Sequence, residues 1–112
     1  MILIDAALDE EGLLKSCRIE GHAGAGRSGY DIVCAAVSVL ARTALISLSG
    51  REGIEVRGET PERGRFYLET DCTEQGKAFL SAGGAFLLEG LGSVARDYPA
   101  CCTMHIHTER RN

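Results

Sequence analysis

Along the first twenty residues apolar and polar positions change places every second step. Ile2, Ile4, Ala6 and Leu8 fall on one side of an extended chain, and Leu13, Cys17 and Ile19 alternate with Leu14, Ser16 and Arg18. Two strands, Met1 to Leu8 and Leu13 to Glu20, are therefore expected as a hairpin around the turn-forming run Asp9-Glu10-Glu11-Gly12. From Asp31 to about Ser49 the period changes: Val33, Val37, Leu40, Ala44 and Leu48 recur at helical spacing, and Gly50 is a natural stop. This helix is apolar nearly all round, which implies burial on more than one side. Ile54 to Gly58 and Arg65 to Thr70 form a second hairpin around Glu59-Thr60-Pro61-Glu62-Arg63-Gly64.

A second helix is expected from about Thr73 to Tyr98, with Asp71 and Glu74 spaced like a capping pair and Phe79, Gly83, Phe86, Leu87, Gly90, Leu91 and Val94 tracing one face. Its glycines at 83, 84, 90 and 92 lower helix propensity, so they call for close packing or a break. Pro99 ends it, Cys102 to Thr108 reads as a last strand, and Glu109 to Asn112 as a frayed tail. The order ββαββαβ lacks the regular alternation of a doubly wound fold. The expected class is α+β: a single domain over residues 1–112, with a five-stranded, mainly antiparallel sheet and two helices on one face.

A chain of 112 residues suffices for one such core. Its formal net charge of -4 argues against broad contact with nucleic-acid phosphates and favours basic polypeptides as partners. No secretion signal is evident and no apolar run reads as long enough to cross a bilayer, so a cytoplasmic protein without membrane contact is expected. The five cysteines then read as reduced thiols.

Candidate chemistry gathers between the second strand and the first helix, in Gly21-His22-Ala23-Gly24-Ala25-Gly26-Arg27-Ser28-Gly29-Tyr30-Asp31-Ile32-Val33-Cys34-Ala35-Ala36-Val37-Ser38. Imidazole is the side chain best tuned to draw a proton from a thiol at neutral pH, and the glycine-rich connection could fold His22 back towards Cys34. Asp31, Cys34 and Ser38 share a helix face, and Cys34 is expected about one turn inside the helix, where the macrodipole favours a thiolate. Each residue has an ordinary reading beside this one. Cys34 in an apolar run can be a small core residue, Asp31 an N-cap, Ser38 a helix hydroxyl bonded back to a carbonyl, and His22 a rim histidine.

Gly24-Ala25-Gly26-Arg27-Ser28-Gly29 also spells G-x-G-x-x-G, the dinucleotide fingerprint. Against it stand the preceding hairpin, the lack of a repeated βαβ unit and the charge of Asp31 where a pyrophosphate would lie. No Lys-Ser or Lys-Thr follows the glycines, which excludes a P-loop. A metal site at Cys101, Cys102, His105 and His107 is disfavoured because adjacent cysteines on a strand point to opposite sides and no C-x-x-C spacing exists. No metal and no cofactor are expected.

The pair Gly21-His22-Ala23 and Gly29-Tyr30-Asp31-Ile32-Val33-Cys34-Ala35-Ala36-Val37-Ser38 resembles the motifs of the ribosomal-processing cysteine protease family, and the length, the two hairpins, the two helices and Tyr98-Pro99 before the final strand extend the likeness over the chain. The resemblance implies a homodimeric, cytoplasmic bacterial endopeptidase that removes a short N-terminal extension from large-subunit ribosomal protein twenty-seven and so supports ribosome assembly. By the same resemblance Cys34 is the nucleophile and His22 the general base. Residues 21–30, with Gly24, Gly26 and Gly29, form a mobile cover, Asp31 and Ser38 occupy matching supporting positions, and an aromatic residue precedes the cut. The alternative is a non-catalytic ribosome-associated assembly factor that holds a peptide with the same loop.

Overall fold

Strands β1 (Ile2–Leu8) and β2 (Leu14–Glu20) form the first hairpin of the computed structural model, which describes residues 1–21, 28–59 and 64–111. The turn between them is held by the side chain of Asp9, whose Oδ1 accepts from the backbone N–H groups of Glu11 and Leu13, each at 2.9 Å. Gly12 closes it at φ +82°, a conformation that costs glycine little. The pairing is not the simple alternation of the sequence. Ala7 faces Ser16 and Leu8 faces Leu14, so Lys15 is an extra residue, and both Leu13 and Leu14 end up buried.

Helix α1 (Ser28–Leu48) then leads to β3 (Ile54–Glu59), and β4 (Arg65–Cys72) returns antiparallel to both β3 and β2. A single 3-10 turn (Glu74–Gly76) opens onto α2 (Lys77–Asp97), and β5 (Cys102–Thr108) completes the sheet parallel to β1. The strand order β3-β4-β2-β1-β5 makes three of the four pairings antiparallel. α1 carries the chain from β2 to β3 with β4 between them, and α2 carries it from β4 to β5 across β2 and β1. Both are split crossovers over the same face, which is why the two helices share one layer.

The core lies between that layer and the sheet. Ile2, Ile4, Ala6, Cys17, Ile19, Phe66 and Leu68 from the sheet meet Val33, Val37, Ala41 and Leu48 of α1 and Leu80, Leu87 and Leu91 of α2. The glycines of α2 serve close approach and not a break: a methyl group on Gly84 would stand 2.9 Å from Leu14 Cβ, and one on Gly90 2.9 Å from Leu40 Cδ2. The opposite face of the sheet is open and charged, with Arg57 bridging Glu69 at 2.6 Å and Asp71 at 3.1 Å.

Three sequence expectations need correction. Asp71 belongs to β4, and the turn that starts α2 is preceded by Thr73 with no side-chain cap, so the Asp71–Glu74 capping pair does not form; Glu74 binds Lys77 at 2.9 Å instead. Glu74–Asp97 is 24 residues long and holds an 18-residue stretch of mean hydropathy 1.4, long and apolar enough by length and composition to cross a membrane; in the fold it lays Leu80, Leu87 and Leu91 on the core. Residues 109–111 of the tail are held in place. Glu109 N–H bonds Leu8 O at 2.8 Å, Lys15 binds Glu109 at 2.9 Å, and Arg111 enters a buried network.

In that network Arg111 Nε donates to Asp9 Oδ2 at 2.6 Å and Nη2 to Leu14 O at 3.1 Å, while Nη1 donates to Thr70 O and to Asp71 Oδ1 at 3.3 Å. Asp9 is 3% exposed. Burial alone would raise its pKa, but the Arg111 bond and the Leu13 and Glu11 amides prevail and hold the carboxyl below its ordinary value.

Candidate active site

β2 delivers the chain to Gly21 at one end of the sheet, and Gly21 sits at φ +117°. Its N–H donates to Gly64 O at 3.0 Å, and a Cβ there would overlap the carbonyl oxygen of Met1 and stand 3.2 Å from Ile2 Cα. The strand therefore ends in a conformation and a space that only glycine fits, one residue before His22. The sequence signal for this was present, a glycine closing an alternating run directly before the candidate base.

His22, Gly24 and Gly26 lie outside the described residues. Gly29 and Asp31 fall in the first turn of α1, whose start at Ser28 is three residues earlier than the sequence suggests. The connection between β2 and α1 is correspondingly shorter than 21–30. Cys34 is the seventh residue of the helix, almost two turns in at about 3.6 residues per turn. That depth weakens the dipole argument, because the favourable field is concentrated in the first turn. Amides at the start of α1, which lack intrahelical acceptors, remain suited to binding an anion.

Cys34 is half-buried at the edge of the core, and Ser38, one turn further on, is exposed; its carbonyl accepts from Arg42 Nε at 3.4 Å. The other cysteines are placed differently. Burial pushes the Cys17 thiol up to about 12, and Asp5 adds to the shift. Burial also raises Cys102, with Cys101 beside it contributing, and raises Cys72 against the opposing pull of Arg111 and Lys77. Cys101 is 8% exposed.

At the start of β5 Cys101 and Cys102 are buried, whereas His105 and His107 are exposed further along. His107 bonds Glu109 at 2.6 Å and lies 3.4 Å from Asp5; the Glu109 bond, opposed by slight desolvation and helped by Asp5, raises its pKa. Among the described residues no group of three or more His, Cys, Asp or Glu could hold a metal ion.

A half-buried thiol on the helix that follows β2, in a chain whose other cysteines lie in the core or pack against it, makes this end of the sheet a candidate cysteine-protease site. A family model described as cysteine protease Prp matches residues 1–103, and the chain belongs to that family. No curated protein matches it. Among solved structures it is similar to SMU.848 from Streptococcus mutans, with 28% identity and a TM-score of 0.82 over 97% of this chain and 96% of that one. It also shares its fold with an essential ribosomal processing protease Prp from S. aureus in complex with a substrate peptide, with 20% identity and a TM-score of 0.80 over 95% of this chain and 99% of that one. The same protease with a covalently linked product peptide superimposes with a TM-score of 0.79, at 20% identity over 95% of this chain and 99% of that one.

Proposed function

We propose that this chain is a Cys–His endopeptidase that removes a short N-terminal extension from large-subunit ribosomal protein twenty-seven, acting in the cytoplasm as a homodimer without direct nucleic-acid contact. The observation that carries the reading is the singular placement of Cys34 in a chain that belongs to the cysteine protease Prp family. Each of the other four cysteines either has a raised pKa or is buried. His22 takes the proton from the Cys34 thiol, the thiolate attacks the scissile carbonyl, and amides at the start of α1 or in the glycine-rich connection receive the oxyanion. The imidazolium protonates the leaving amine, and water then hydrolyses the thioester.

The test is incubation of the purified chain with the full ribosomal protein and with a peptide spanning its extension. Cleavage at one bond, lost when an aromatic residue before it is replaced by alanine, is expected. An intact ribosomal protein after prolonged incubation would leave the peptide-holding assembly factor as the better reading.

The homodimer is supported by an exposed apolar stripe. Ile32, Val39 and Ile46 repeat every seventh residue along α1 with exposures of 56%, 53% and 73%, and Phe86 of α2 is 74% exposed beside a groove of about 350 Å³ between the helices. A monomer has little reason to keep such a stripe in water, and a second copy would cover it with the same stripe. Phe86→Asp should therefore fold normally and shift the chain from dimer to monomer in analytical ultracentrifugation. A monomeric parent at the same concentration would remove the dimer from the proposal.

A further inference from the structure

We propose that the pocket around Asp9, at the end of the sheet away from Gly21, is a guanidinium-binding site that takes the arginine side chain of a basic polypeptide, with Arg111 as its resident occupant. A guanidinium offers five N–H groups, one on Nε and two on each Nη, and the pocket answers all of them. Nε meets Asp9 Oδ2, Nη1 meets Thr70 O and Asp71 Oδ1, and Nη2 meets Leu14 O and Thr70 Oγ1. A lysine ammonium, with three donors on a single nitrogen, would leave part of that set unserved. Asp9 is 3% exposed beneath the guanidinium, so the arginine fills the pocket and does not merely rest on its rim.

The acceptors are aimed by the body of the fold and not by the tail. Asp9 Oδ1 is engaged by the Glu11 and Leu13 amides, which turns Oδ2 to the pocket. The Thr70 hydroxyl donates to Leu14 O at 2.5 Å, which leaves the Oγ1 lone pairs for the guanidinium. The tail itself is held less firmly. Beyond Arg111 it is fastened by the Glu109–Leu8 backbone bond and by exposed contacts, among them Lys15–Glu109, His107–Glu109 and Arg110–Glu10, and such surface pairs hold weakly. It can therefore lift and leave the pocket to an arginine from another chain. The net charge of -4, with half-exposed Glu10 and exposed Asp71 beside the pocket, draws a basic ligand there. β2 runs from Leu14 to Glu20, so the pocket stands about 20 Å from Gly21 and the candidate active site stays open when it is filled.

The probe is a blocked Ala-Arg-Ala peptide, with blocked Ala-Lys-Ala as its control, and the readouts are the melting temperature and the NMR signal of the Leu13 N–H that bonds Asp9. In Arg111→Ala the arginine peptide at about 10 mM should raise the melting temperature by about 3 °C or more and shift the Leu13 signal, and the lysine peptide should do neither. Adding Asp9→Asn to that variant should abolish the response. The parent should need at least about tenfold more peptide, because Arg111 competes from within the same chain. No response, an equal response to both peptides, a response that survives Asp9→Asn, or a parent that binds as tightly as Arg111→Ala would overturn the proposal. Arg111→Lys carries the measurement should Arg111→Ala not fold. It keeps a cation beside Asp9, and the arginine peptide should displace the lysine head and shift the Leu13 signal; a lysine that stays in place would show that the pocket reads charge alone and would overturn the proposal as well.

Discussion

Arg111→Ala should lower the melting temperature by on the order of 10–20 °C, the largest stability loss expected of any side chain outside the apolar core. The guanidinium is 19% exposed and its partner carboxylate 2%, so a buried carboxylate is paired with a partly buried cation. Removing one member of a buried pair typically costs about 3–5 kcal/mol because the other charge is left without compensation; the partial access of Arg111 to water places this case near the lower end. Two backbone acceptors, Leu14 O and Thr70 O, lose a donor as well. The sign with pH follows from the depressed pKa of Asp9. Its contribution is fully present above the unfolded value, near about 4, and fades as pH falls through the folded value below it. Asp9→Asn should consequently be less stable than the parent at neutral pH, with the gap closing in strong acid. Urea denaturation of the three proteins between neutral pH and acid measures both effects. A constant gap between parent and Asp9→Asn would mean that Asp9 contributes through its turn bonds alone.

That network shows where the sequence is legible and where it is not. Strand and helix existence follows from periodicity because each element buries one face: Ile2, Ile4 and Ala6 in β1, and Val33, Val37 and Leu48 in α1, are all buried as their spacing implies. Boundaries fail where a tertiary contact outweighs the local pattern. Lys15 is an extra residue in β2 because both Leu13 and Leu14 can be buried only if the register slips. Asp71 reads as a cap from its spacing to Glu74, but β4 is extended to Cys72 by pairing with β3, and the carboxylate is drawn to Arg57 and Arg111. Nothing local marks Arg111, which lies 102 residues from Asp9 and gains its order from that partner and from Leu14, Thr70 and Asp71, all distant in sequence. The candidate site divides the same way. Cys34 stands out by its surroundings, whereas its depth in α1 depends on a helix start that the glycines at 24, 26 and 29 obscure.

Cys34→Ser should lower cleavage of the ribosomal extension by about 1,000-fold or more, and His22→Ala by about 100-fold or more. A hydroxyl is a far weaker nucleophile than a thiol at neutral pH, and a geometry suited to sulfur does not activate oxygen. Cys34 sits almost two turns into α1, beyond the strongest helix field, so on the proposed Cys–His mechanism the imidazole should carry more of the activation than it would for a thiol at the helix start. The two losses should therefore not multiply: the double variant should be little worse than Cys34→Ser, because the base acts only through the thiol. Chemical labelling provides a substrate-free check. With Cys17, Cys101 and Cys102 buried and Cys72 raised in pKa, limited alkylation near neutral pH should modify Cys34 first, and His22→Ala should slow that reaction at pH 7 more than at pH 9. Solvent base competes with imidazole for a thiol proton at the higher pH, so an equal slowing at both would show that the histidine affects access to the thiol and not its proton. Melting curves run alongside should coincide with the parent within a few degrees, since Cys34 is half-buried and serine is nearly its size. Turnover retained by Cys34→Ser would remove the thiol mechanism whatever the labelling shows.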